Sequence, residues 1–112
     1  MSYRLNNEVV LAVNLIALKL NSLQSKLPVH AGPALAGASE ILKTDVLDDF
    51  PQEKVDQFQR RIMMIARIED LDALAVIFSY VMSDLDEQPV HESVMRECSL
   101  ILERFDVPSC DF

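Results

Sequence analysis

Residues 51–89, PQEKVDQFQRRIMMIARIEDLDALAVIFSYVMSDLDEQP, hold no glycine and no proline between the two prolines that bound them. Nothing in such a run interrupts a helix, and its apolar residues recur at helical spacing instead of the strict alternation of a strand. Val55, Phe58, Ile62, Ile65 and Ile68 fall on one side of a first helix. Leu71, Leu74, Ala75, Phe78, Met82 and Leu85 fall on one side of a second. The run is long enough for one bent helix, but Glu69, Asp70 and Asp72 argue for a new start. Asp70 can cap free backbone N–H groups, and neighbouring carboxylates suit the positive end of a helix dipole. A break is therefore expected between Ile68 and Asp70. Pro51 suits the first turn of the earlier helix, where its missing N–H costs nothing, with Asp49 or Phe50 as the cap.

Toward the N-terminus, a helix is expected from Asn7 to Lys26, capped by Asn6 or Asn7. Val9 to Val13, Leu15 to Leu18, Leu20 and Leu23 cover most of its circumference. A helix apolar nearly all round is buried nearly all round, so this one is expected at the centre of a bundle or shared with a second subunit. Asn7, Asn14 and Asn21, seven residues apart, mark its thin polar stripe. Such a stripe either sets register at a dimer seam or faces water. No sustained heptad pattern with charged flanks accompanies it, which favours water.

Pro28 ends this element, and residues 27–32 (LPVHAG) read as a loop. A further helix is expected from Pro33 to Asp48, with Leu35, Ala38, Ile41, Leu42 and Val46 inward. Gly37 weakens it by about 1 kcal/mol relative to alanine. Toward the C-terminus, residues 84–88 read as a polar turn. Pro89 opens a last helix with Val94, Cys98, Ile101, Leu102 and Phe105 inward, Pro108 stops it, and residues 107–112 are expected to fray. The two glycines of the chain fit this picture, because β-rich folds draw more heavily on turn glycine. The expected fold is all-α: a single compact bundle-like domain spanning 1–112, of four to five helices, with a mostly buried N-terminal helix.

The net charge of −8 is divided unevenly. Residues 1–44 carry Arg4, Lys19, Lys26 and Lys43 against Glu8 and Glu40, whereas residues 45–112 carry six basic and sixteen acidic side chains. This balance argues against direct nucleic-acid binding, which needs lysine and arginine to displace counterions, and against an anionic membrane surface. The apolar run from Val9 to Leu20 contains Asn14 and Lys19, is shorter than the ~20 residues that span a bilayer, and precedes no cleavage-type site. A cytoplasmic location is expected. Cys98 and Cys110 are too few for a disulfide framework.

No grouping reads as a catalytic or metal site. His91-Glu92 lacks the second histidine of a zinc-protease helix, since position 95 is methionine. His91 and Cys98 share a face with Met95, but they are about 10 Å apart along a helix, too far for one small ion. Asp84, Asp86 and Gln88 resemble a calcium loop only until Pro89 and Met95 take the places of its glycine and glutamate. A phosphotransfer role for His91 is opposed by Glu87 and Glu92, which repel phosphate. Cys98 reads as a core residue, and Asp111 beside Cys110 would raise that thiol's pKa. Arg60 and Arg61, the one adjacent basic pair, are expected on a solvated face with Asp56 and Gln57.

Acid remains. Much of it near residues 45–56 and 69–72 serves helix starts, which leaves Asp84, Asp86, Glu87, Glu92, Glu97, Glu103 and Asp106 in excess, with only Arg96 and Arg104 nearby. Glu92 and Arg96 stand at the favourable i, i+4 spacing. The expected function is that of a small, non-enzymatic module without cofactor or metal. It would use these carboxylates to dock on a basic partner protein and inhibit or neutralise it, in the manner of an immunity protein, inhibitor or nucleic-acid mimic. The alternative is an assembly protein that forms a helical homodimer or heteromeric complex.

Overall fold

The structure is a computed structural model, and it describes residues 7–22, 35, 36, 38, 50–85, 89, 90 and 92–107. Four helices are defined among the described residues: α1 (Asn7–Asn21), α2 (Gln52–Ile65), α3 (Leu71–Leu85) and α4 (Glu92–Arg104). The described residues contain no strand, and the radius of gyration of 13.1 Å is that of a packed chain of this length. Of the helix expected over 33–48, only Leu35, Ala36 and Ala38 are described. All three are helical, and Ala38 is buried. Residues 23–34 and 108–112 lie outside the described residues.

The break between α2 and α3 falls where the acidic residues place it. Asp70 Oδ1 accepts from the Ala73 N–H at 3.1 Å, and the Asp70 carbonyl accepts from the Leu74 N–H at 2.9 Å. The two helices it separates are antiparallel. Near the start of α2, Lys54 Nζ donates to the Asp84 carbonyl at the end of α3, at 3.4 Å. A short connection between helices yields this arrangement. α4 returns antiparallel to α3 in turn, because Arg104 meets Asp70 while Cys98 meets the Val76 carbonyl, six residues back on one helix and six forward on the other.

α3 sits at the centre, packed against α1, α2 and α4. Ten of its fifteen residues are buried, and Phe78, Leu74, Ala75 and Ile77 have no exposed surface. Burying each of the larger side chains contributes about 1.5–3 kcal/mol. The expectation of a mostly buried N-terminal helix is corrected here. α1 buries a single stripe, Val9, Ala12, Val13, Ile16 and Leu20, while Leu11, Leu15 and Leu18 are 68%, 46% and 70% exposed. The reason is connectivity: short connections bring a helix onto each side of α3, whereas α1 meets α2 and α3 along one edge. Asn7, Asn14 and Asn21 face water.

Helix ends differ from expectation in three places. α1 ends at Asn21, short of Lys26, and the Ser22 N–H turns back to the Lys19 carbonyl at 3.3 Å. Pro51 precedes α2 instead of opening it, because its ψ of 144° is extended; its carbonyl accepts from the Lys54 and Val55 N–H groups at 3.0 and 3.2 Å. α4 opens at Glu92, with Pro89 and Val90 outside it. Its far end closes on Asp106, whose φ of 54° is left-handed. The Asp106 N–H bonds the Glu103 carbonyl at 3.3 Å, and the Val107 N–H bonds the Leu102 carbonyl at 2.9 Å. This is the Schellman closure, which satisfies carbonyls that a helix end leaves free.

Candidate protein-docking surface

α4 is amphipathic in a lopsided way: only Cys98, Ile101 and Leu102 are buried. Val94 packs against the core while partly exposed, and the structure leaves Glu92, Glu97 and Glu103 exposed on the helix. Asp106 is exposed just beyond its end, where its left-handed backbone forms the closure. Met95 and Leu100 are 50% and 62% exposed among these carboxylates. Glu92 and Arg96 are both exposed, and no ion pair joins them. Solvent competes for such a pair, whose value at a surface is small.

Asp84 differs from these carboxylates in having an ion-pair partner within the fold, although its side chain is 43% exposed. Its carboxylate binds the Arg61 guanidinium, and Arg61 lies over the Tyr80 ring at 5.7 Å. The expected solvated position of Arg61 is therefore corrected: its residue is 5% exposed, held between α2 and α3, while Arg60 faces outward. Burial pushes the Tyr80 hydroxyl above its usual pKa, against the opposing pull of Arg61. Asp86, Glu87, His91 and Cys110 lie outside the described residues.

Two carboxylates that serve the start of α3 also join the surface. Asp70 and Asp72, at the head of α3, face Glu97 across a groove of about 560 Å³. Ala73, Val76 and Ile101 line its apolar floor, and Leu100 stands at its edge. Arg104 is the one cation among the described residues that line the groove, and its Nη2 is bound to Asp70 Oδ2 at 2.8 Å. The Ala73 N–H, and then Arg104, hold the Asp70 carboxyl below its usual pKa. Asp72 and Glu97 have no ion-pair partner among the described residues. No spacing in the chain could have announced this groove, because it depends on the antiparallel register of α3 and α4.

A second groove, of about 600 Å³, lies between α1 and α2. Glu8 and Asp56 line it together with Arg60 and Arg67, so its charges balance. Among the described residues no cluster of three histidine, cysteine or acidic side chains could hold a metal ion. No helix of the described residues is long and apolar enough to cross a membrane. Cys98 Sγ faces the Val76 carbonyl at 4.0 Å, and burial pushes its pKa up to about 12. A thiol held that high is a poor nucleophile. Comparison of the chain with protein-family models, with curated proteins and with solved structures found no match.

Proposed function

We propose that the protein is a small acidic helical module that binds a basic partner protein and inhibits or neutralises it, without catalysing a reaction itself. The supporting observation is the α3–α4 groove, which sets Asp72 and Glu97 on either side of an apolar floor. A partner side chain with an aliphatic stem and a cationic head, lysine or arginine, matches both parts of that groove. Glu92 and Glu103 extend the same charge along α4. Their contribution is to steer and orient the encounter, and Leu100 with the groove floor supplies the apolar anchor. The reading places the protein among immunity proteins, inhibitors or nucleic-acid mimics by physical profile, and it carries with it a cytoplasmic setting.

The test is capture on the immobilised full chain at low ionic strength, with a Glu92→Lys/Glu97→Lys/Glu103→Lys chain in parallel. A basic protein should be retained by the native chain, released as salt rises, and lost from the charge-reversed chain. The same set of proteins on both columns would overturn the proposal.

A further inference from the structure

The exposed face of α1 has the spacing of a helix-pairing seam. Asn7, Leu11, Asn14, Leu18 and Asn21 are all exposed and follow one another at intervals of four, three, four and three, with exposed Leu15 beside them. That is the repeat by which two helices interlock along a shared stripe. In the sequence the repeat is masked, because the apolar residues that face the core fill in the pattern around it.

We infer that this face pairs with the same face of a second copy of the chain, about a two-fold axis passing near Asn14. Charge selects the occupant. A chain of net charge −8 repels its own copies except where charge is absent, and α1 carries only Glu8 and Lys19, which cancel. Lys19 is turned inward to the Ala66 and Ile68 carbonyls and to Glu69. A basic partner of the kind proposed above would find no row of carboxylates here. The asparagines select further. A buried amide is costly unless it is hydrogen-bonded, and an ordinary apolar helix offers it no partner. A second copy presents an asparagine against Asn14 by symmetry, since a two-fold contact sets each patch against itself. The seam is about 22 Å long at about 1.5 Å per residue. It is small beside the ~800 Å² that each partner contributes to a standard interface, so the dimer forms reversibly and at high protein concentration.

Sedimentation of the full chain from low micromolar to near-millimolar concentration tests this. The mass should rise from 12.7 kDa toward twice that value. Leu11→Lys/Leu18→Lys should stay monomeric throughout with an unchanged far-ultraviolet circular dichroism spectrum, and so should Asn14→Asp, which sets like charges together. A native chain that stays monomeric, or a lysine variant that associates as the native chain does, overturns the inference. So does association lost on reversing Glu97 but not on changing α1. If the lysine variant loses helix, Asn14→Cys in a Cys110→Ser background decides. It should give a covalent dimer on mild oxidation, and its failure to do so rejects the seam.

Discussion

Arg61 and Asp84 form an ion pair whose two halves sit in different surroundings. The Arg61 side chain is 6% exposed and the Asp84 side chain 43%. Water can replace Arg61 at Asp84, but little water can replace Asp84 at Arg61.

The two single substitutions should therefore differ. Asp84→Ala removes this carboxylate from a buried guanidinium and should cost about 2 kcal/mol. Arg61→Met leaves a carboxylate that water can solvate and should cost about 1 kcal/mol. Urea denaturation of both variants checks this, and equal losses would contradict the asymmetry.

Lys19 ties α1 to the turn after α2 through two carbonyls, Ala66 at 3.1 Å and Ile68 at 3.4 Å. Its ion pair with Glu69, which is 88% exposed, adds little. Lys19→Met should lower stability by about 1 kcal/mol, whereas Glu69→Gln should leave the midpoint nearly unchanged. A larger loss for the glutamate variant would show that the carbonyl bonds are not the main contact.

Asp70 bears on the acid side of the stability profile. Its carboxyl is held below the usual range, first by the Ala73 N–H. A depressed carboxyl stabilises the fold above its unfolded pKa and loses that contribution as pH falls through its lower folded value. Asp70→Asn keeps an oxygen for the cap but has no proton to gain, so its melting temperature should fall less steeply between about pH 5 and 2. Parallel profiles for the two chains would exclude the role.

Cys98 should resist alkylation. With its pKa near 12, almost no thiolate exists at pH 8 in the folded chain. Peptide mapping after iodoacetamide should show Cys98 unmodified in native protein and fully modified in urea. Labelling at equal rates in both would mean that the helix opens readily there.

Asp106 holds a left-handed backbone at a helix C-terminus, where a negative charge also meets the negative end of the dipole. Asp106→Gly relieves both and should stabilise the fold by about 0.5–1 kcal/mol. A lower melting temperature would mean that the carboxylate has a stabilising contact of its own.

The helices and the break at Asp70 were legible because they rest on local chemistry: periodicity, a cap, and the absence of glycine and proline. The centre of the fold was not. α1 and α3 are both apolar over a wide arc, and composition cannot show how many neighbours a helix has. α3 gains them from short connections on either side, and that is a property of topology. The surface divides in the same way. Glu92 and Glu103 could be read as outward because they lie far around one helix from Cys98, Ile101 and Leu102, whereas Glu97 stands one turn before Ile101 at the edge of that face. Asp84 could not be read as engaged, since Arg61 stands twenty-three residues earlier. Asp70 and Asp72 could not be read as groove residues until α4 was laid beside them.

α1 also sets a timing problem for synthesis. Its buried stripe packs on α2 and α3, which end at Ile65 and Leu85. The ribosome must therefore add some sixty-five residues after Leu20 before that stripe can be covered, which takes roughly 3–13 s at about 5–20 residues per second. For that interval Val9, Val13 and Ile16 are open on one side of the helix and Leu11 and Leu18 on the other. The nascent chain is then most adhesive before its acidic half has emerged, which makes its first helix the segment that a cotranslational chaperone would hold.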